Sequence, residues 1–321
     1  MSKNKKIVCL GGGNAMPSAV LQGLKKYPVN LSAVCAMLDS GGSAGREREI
    51  YRTNVSFGDI RRAFLALSES SPGVIETFNI RFKEGPYQGM VVANIFGTAV
   101  VKETGDYEKA FEVYREILKV PEQYQVFPST LDDRHLCAVL ENDQVICGEA
   151  DIDAPKHDGN LKIKEVSLKP LEPKAKAYPK AVEEIKKADL IVMGPGDLYS
   201  SIIQILLVDG IAEAIRESKA KKIYICNLMT KNGETNGFSV KDFSGEIEKY
   251  LKGKVDRVVY NSVKPDEKRL ADYKKEHPEF LELVEADKDL GKDKFIGKDL
   301  LAKEGALVHD PDKLAKIILN F

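Results

Sequence analysis

The sequence predicts an α/β protein: a Rossmann-like, doubly wound, mainly parallel sheet carrying a helical insertion and a β-hairpin. Three observations lead there. Short apolar runs alternate with amphipathic helical stretches, the pattern of parallel strands covered on both faces. Several of those runs end in glycine-rich turns. The chain has 321 residues, 43% hydrophobic and 30% charged, enough to bury one large core without disulfide staples, and it reads as a single domain over 1–321.

In chain order, Ile7-Val8-Cys9-Leu10 reads as the first strand, Gly11-Gly12-Gly13 as its turn, and Ala15 to Lys26 as the first helix. Leu31 to Leu38 is a second buried strand, ending in Asp39-Ser40-Gly41-Gly42-Ser43-Ala44-Gly45-Arg46. Residues 60–120 are mostly helical in period and form the insertion beside the sheet. Gln125 to Ile152 alternates around Asn142-Asp143, and that pair accepts the positive φ of a tight hairpin turn. Leu190-Ile191-Val192-Met193 then runs into Gly194-Pro195-Gly196 and a helix with Ile202, Ile203, Leu206 and Leu207 on its apolar side. Ile223 to Cys226 and Val255 to Tyr260 complete the core strands. Residues 264–298, rich in Lys, Glu and Asp, read as a solvated helical flap, and Asp312 to Leu319 as a closing helix behind His309-Asp310-Pro311.

Charge and cysteine usage bound the function. Lys plus Arg total 48 against 49 Asp plus Glu, a net charge of -1, so no global field gathers nucleic acid or an anionic membrane. No apolar run approaches the roughly 18 residues of a membrane span. The basic start Met1 to Lys6 is followed by only four apolar residues before the glycines, too few for an export signal. Five cysteines cannot all pair, and Cys9, Cys35 and Cys226 sit in strand-like runs; buried free thiols in a reducing, cytoplasmic compartment are the expectation.

The chemistry concentrates at the glycine turns. Gly11, Gly12 and Gly13, with Asn14, present backbone N–H groups at a helix start, a setting that favours phosphate. The dinucleotide fingerprint is absent, because its third glycine falls at Met16, and so is the GxxxxGK phosphate loop. Asp39 stands at a strand end, where ligands of open α/β sheets bind; it suits a ribose or substrate hydroxyl or a hydrated magnesium ion. Gly41, Gly42 and Ser43 follow, and Arg46 provides a bidentate grip for phosphate. Gly58-Asp59-Ile60-Arg61-Arg62 is a third polar cluster, with Asp59 as its helix cap. Gly194, Pro195 and Gly196, with Ser200 and Ser201 in the next turn, repeat the first arrangement, and two such sites on one rim suit a diphosphate. Asn227, Glu234 and Asn236 are placed to read a base or sugar. No histidine pair has metal spacing and GxSxG is absent; the four histidines read as surface or structural residues, His309 being the one offered as a ligand contact.

The order of these clusters resembles the gluconeogenesis factor family, which is related to 2-phospho-L-lactate transferase. The likeness is carried by Gly11-Gly12-Gly13, Asp39 to Arg46, Gly58 to Arg61, Ala188 to Gly196, Leu198-Tyr199-Ser200-Ser201-Ile202-Ile203, Cys226-Asn227-Leu228-Met229-Thr230 with Gly233-Glu234-Thr235, and His309-Asp310-Pro311. It implies a Rossmann-like fold with a nucleotide site at the sheet edge. It also implies one of two roles: binding of UDP-sugar-type ligands in the control of carbon metabolism, cell shape and cell-wall precursor supply, or magnesium-dependent transfer of a phospholactyl group from a nucleotide-activated donor to a deazaflavin. The chain departs from the family pattern at Ser40 and Ala44 (DDGGSSGR), Arg62 (GDIRN), Met90 to Asn94 (HSLGN), Ile205 (IIPN), Asn236 (ETDGY) and Val308, where an Arg precedes His-Asp-Pro.

The expected protein is therefore a cytoplasmic binder of a phosphate-bearing small molecule, a nucleotide or nucleotide sugar, with a homodimer allowed. As a transferase it would use Asp39, Arg46, Asp59 and Arg61, with magnesium at Asp39. Asn94, Tyr273 and His309 complete the candidate ligand-binding set.

Overall fold

The computed structural model describes residues 4–321, so Met1, Ser2 and Lys3 of the basic start lie outside the described residues. The strands are β1 (Lys5–Gly11), β2 (Val29–Cys35), β3 (Tyr124–Pro128), β4 (His135–Leu140), β5 (Val145–Cys147), β6 (Ile163–Lys169), β7 (Leu190–Met193), β8 (Lys221–Ile225), β9 (Met229–Lys231), β10 (Arg257–Asn261), β11 (Phe280–Leu283) and β12 (Phe295–Lys298). Seven of them form the central sheet in the order β12-β10-β8-β7-β1-β2-β3, and each neighbouring pair is parallel. The four residues of β7 are all buried, as are Ile7 to Leu10 of β1. Continuous apolar runs, rather than alternating ones, are what a sheet covered on both faces demands. The arrangement is Rossmann-like.

Helices Gly58–Leu67, Pro72–Asn79, Val92–Thr104 and Tyr107–Ile117 fill the stretch between β2 and β3. Phe57, Phe64, Phe78 and Phe96 gather there around the buried Tyr114, whose hydroxyl donates to the Ala93 carbonyl. The hairpin forms as β4 and β5 around a turn in which Asp143 has φ of 66°, and β6 joins its free side to make a three-stranded antiparallel sheet.

Three features differ from the sequence reading. Tyr124–Pro128 lies in the central sheet as its edge strand beside β2, not in the hairpin. The charged 264–298 stretch does contain a helix, Glu267–Glu276, but also contributes β11, paired with β9, and β12, the opposite edge of the central sheet. At four residues each, β11 and β12 are too short to stand out in a stretch otherwise rich in Lys, Glu and Asp. Finally, Cys137 and Cys147 are cross-strand partners joined by a disulfide, while Cys9, Cys35 and Cys226 are free and buried. The hairpin register brings the two thiols together, and that register is not written in the cysteine spacing. Among the described residues no helix is long and apolar enough to cross a membrane.

Candidate functional site

The two glycine turns meet. In the parallel ladder Leu10 pairs with Met193, so β1 and β7 leave the sheet at the same carboxyl edge. The Gly194 N–H donates to the Leu10 carbonyl at 2.9 Å, and a side chain placed on Gly196 would stand 3.7 Å from the Gly12 oxygen. Here the strand order reverses direction, with β2 and β3 to one side of β1 and β8, β10 and β12 beyond β7. Such a reversal opens a crevice at the carboxyl ends of the strands. Gly194 has φ of 79°, and an added Cβ would lie 2.9 Å from the Ile225 carbonyl, so only glycine makes this bend. Both turns lead into helices that open with π geometry, Pro17–Leu21 and Leu198–Ile203, a widening common at functional sites.

Each turn is faced by a carboxylate of the chain itself. Asp59 lies against the Gly13 N–H, which counters part of the upward push that burial gives its pKa. Glu234 accepts from the Tyr199 N–H at 3.3 Å, and the Gly196 N–H reaches the Asn227 Oδ1 at 3.3 Å. The sequence reading left these amides free for a ligand phosphate; residues distant in sequence meet several of them.

Two cavities adjoin at the turns. One, of about 470 Å³, has Asp39, Asp59, Glu149, Asp153 and Asp197 among its walls together with Arg61, Arg62 and Arg81. The other, of about 410 Å³, is bounded by Pro195, Gly196, Asn227 and His309 on the sheet side and by Tyr273, His277 and Phe280 on the flap side. Gly13, Asn14 and Asp197 belong to both. Gly41, Gly42, Ser43, Asn94, Ser200 and Ser201 line the first cavity, and Gly12 lines the second.

Burial, then Asp39 and Asp153, push Glu149 up to about 10, so it holds a proton at neutral pH. Asp39 is raised as well, chiefly by burial, and its Oδ1 accepts from the Gly41 N–H at 2.8 Å. Behind this wall the Lys231 ammonium sits among Asp153, Asp197 and Glu234, the last two at 3.3 Å. Burial alone would lower its pKa, but the three carboxylates outweigh it and raise it. His309 is buried and held down to about 4, with the Cys226 backbone as its hydrogen-bond neighbour. It is a neutral imidazole whose Nε2 has no partner.

Several residues singled out from the sequence lie elsewhere. Arg46 stands outside both cavities, its Nη1 donating to the Gln88 carbonyl at 2.6 Å, so it secures the 80–91 loop. Asn236 closes its own turn, accepting from the Gly233 N–H at 2.8 Å and donating to the Gly159 carbonyl at 2.9 Å. Glu234 lies behind the cavity wall, and Gly11 and Gly194 shape the turns without lining either cavity. Asp59 occupies the first turn of helix Gly58–Leu67 rather than capping it, and pairs with Arg62 at 2.7 Å. The sequence reading missed Glu149, Asp153, Asp197, Lys231, Arg81 and His277. Asp197 directly follows the second glycine turn at a helix-capping position and was within reach; the others arrive from the helix after the hairpin, β9, the flap and the insertion, with no local signal.

The family model described as 2-phospho-L-lactate transferase CofD matches residues 7–299. The gluconeogenesis factor of Listeria innocua is 36% identical over 328 residues, covering 99% of this chain and 97% of that protein. The gluconeogenesis factor of Halalkalibacterium halodurans is 35% identical over 321 residues, with 99% and 97% covered. A crystal structure of a UPF0052 family member from Bacillus halodurans superposes with a TM-score of 0.90 at 33% identity, covering 99% of this chain and 100% of that one.

Proposed function

The chain belongs to the family of 2-phospho-L-lactate transferase CofD, and from that premise we propose that it is a magnesium-dependent transferase acting on a phosphate ester. A nucleotide-activated donor occupies the aromatic-walled cavity, and transfer takes place at the carboxylate wall. The observation that carries this reading is the junction of the two cavities at Gly13, Asn14 and Asp197, where a phosphate belongs to both at once. Tyr273 and His277, with ring centroids 4.6 Å apart, form a face on which a base stacks.

Asp39 is a hard oxygen donor on this wall and would hold a hydrated magnesium ion, which would neutralise charge on the phosphate ester; Asp153 is already paired with Lys231. Asp39 orients an acceptor hydroxyl. Arg61 and Arg62 counter the negative charge of the transition state. The proton on Glu149, beside Asp39, is available to a leaving oxygen. Ligands of this class are cytoplasmic, and we infer the same location for the protein. The test is phosphorus NMR of transfer from nucleotide-activated donors: Asp39→Asn should abolish magnesium-dependent turnover and keep the circular dichroism of the parent. Unchanged turnover would remove Asp39 from the mechanism.

A second reading has a specific observation in its favour. Lys231 already neutralises part of the acidic wall, and Asp59 already meets the Gly13 amide. A site prepared in this way can hold a nucleotide sugar without chemistry, as a regulator of carbon metabolism and cell-wall precursor supply would. In that case UDP-sugars raise the melting temperature, Tyr273→Ala abolishes the rise, and no donor is consumed.

A further inference from the structure

The carboxylate-walled cavity also carries positive charge. Arg61, Arg62 and Arg81 line it with Ser43 and Asn94. Arg62 is engaged by Asp59, but Arg61 gives Nη1 to the Asn79 Oδ1 at 2.8 Å and keeps a buried Nε without a partner, although the residue is only 6% exposed. Asn94, 2% exposed, likewise leaves its Oδ1 unpartnered. Helix Gly42–Tyr51 begins at this wall with Gly41 as its cap and no side chain covering its first amides. Burial, then the neighbouring Arg62, draws Arg61 down to about 10, the direction that desolvation and like charge both give a cation. The acid beneath them, Glu47, is itself raised by burial to about 7 and is hydrogen-bonded to the Ser43 hydroxyl at 2.5 Å.

The same cavity is lined by Asp39, Glu149 and Asp153, whose oxygens accept hydroxyl donors. We propose that this cavity binds a phosphorylated polyol or sugar, its phosphate seated on Arg61, Arg81 and the first amides of helix Gly42–Tyr51, its hydroxyls donating to Asp39, Glu149 and Asp153. A cavity of about 470 Å³ is of the size that encloses a small ligand. The assignment goes beyond the transferase reading and does not require the nucleotide cavity to be filled.

Calorimetric titration of the whole protein with glycerol 3-phosphate, ribose 5-phosphate and glucose 6-phosphate tests it, each measured beside its unphosphorylated polyol and beside inorganic phosphate. At least one ester should bind about tenfold or more tighter than both fragments. Arg81→Ala, at an exposed position, should weaken that ester by about tenfold or more with the circular dichroism unchanged, as expected for one lost charge-assisted contact. If no ester exceeds its fragments, or if Arg81→Ala binds it as the parent does, the assignment is overturned. UDP binding and its loss in Tyr273→Ala read the other cavity separately, so failure here and failure of the nucleotide reading are distinct results.

Discussion

His309 ties the candidate site to the pH dependence of the fold. Folded, burial holds it at about 4 against a reference of 6.5, so the unfolded chain takes up the proton first. Its contribution to stability is full above about pH 6.5 and is lost as the pH falls through 4, about 3 kcal/mol in all. Glu47, raised to about 7, acts in the opposite sense, favouring the folded state on acidification and losing that effect as the pH rises through 7. The measurement is therefore a difference: urea midpoints of His309→Gln should fall less than those of the parent between pH 7 and pH 4, and parallel curves would assign the proton uptake elsewhere. The glycines differ from one another at the same scale. A Cβ on Gly12 would lie 2.2 Å from the Asp59 Oδ2, whereas one on Gly196 has its nearest neighbours at 3.7 Å. Gly12→Ala should cost about 1–3 kcal/mol and Gly196→Ala at most about 1 kcal/mol, read from thermal melts; equal losses would mean that Asp59 yields easily. Gly12 was legible as part of a turn, but the carboxylate that forbids its substitution was not, because Asp59 lies 47 positions away.

Among the elements, Lys231 is the joint. Its ammonium links helix Glu149–Asp153, the Asp197 cap of the second glycine helix, and Glu234 in the turn after β9. Lys231 and Glu234 are almost wholly buried, while Asp153 and Asp197 are partly exposed and so more screened by water. Lys231→Ala leaves the Glu234 charge uncompensated and should cost about 3 kcal/mol in urea denaturation; a loss under about 1 kcal/mol would show that Glu234 takes up a proton at little cost. Nothing in the 225–235 segment announced this role, since a lysine after an apolar strand is usually a solvated surface group. The strands of the sheet interior were legible because unbroken apolar runs bounded by turn residues favour strands covered on both faces. β3 and β12 were not: β3 alternates buried and half-buried residues as the hairpin strands after it were expected to, and β12 is four residues inside a charged stretch. The disulfide followed the same rule: the turn at Asn142-Asp143 was readable, but the pairing of Cys137 with Cys147 depends on the register that the turn imposes.

Across the whole molecule, the sequence by itself determined the parallel sheet and the two glycine bends that end β1 and β7, because these depend on local period and on backbone freedom, properties of consecutive residues. The meeting of the bends at one rim follows once the strands are parallel neighbours. Only the tertiary structure decided what faces them. The acids of the first cavity come from the loop after β2, the insertion, the helix after the hairpin and the cap of the second glycine helix, its guanidiniums from the insertion, and the aromatic wall of the second cavity from the flap. Which side chains converge across the sheet edge depends on strand order and on how helices dock, and those are set by burial of the whole core rather than by any stretch of neighbouring residues.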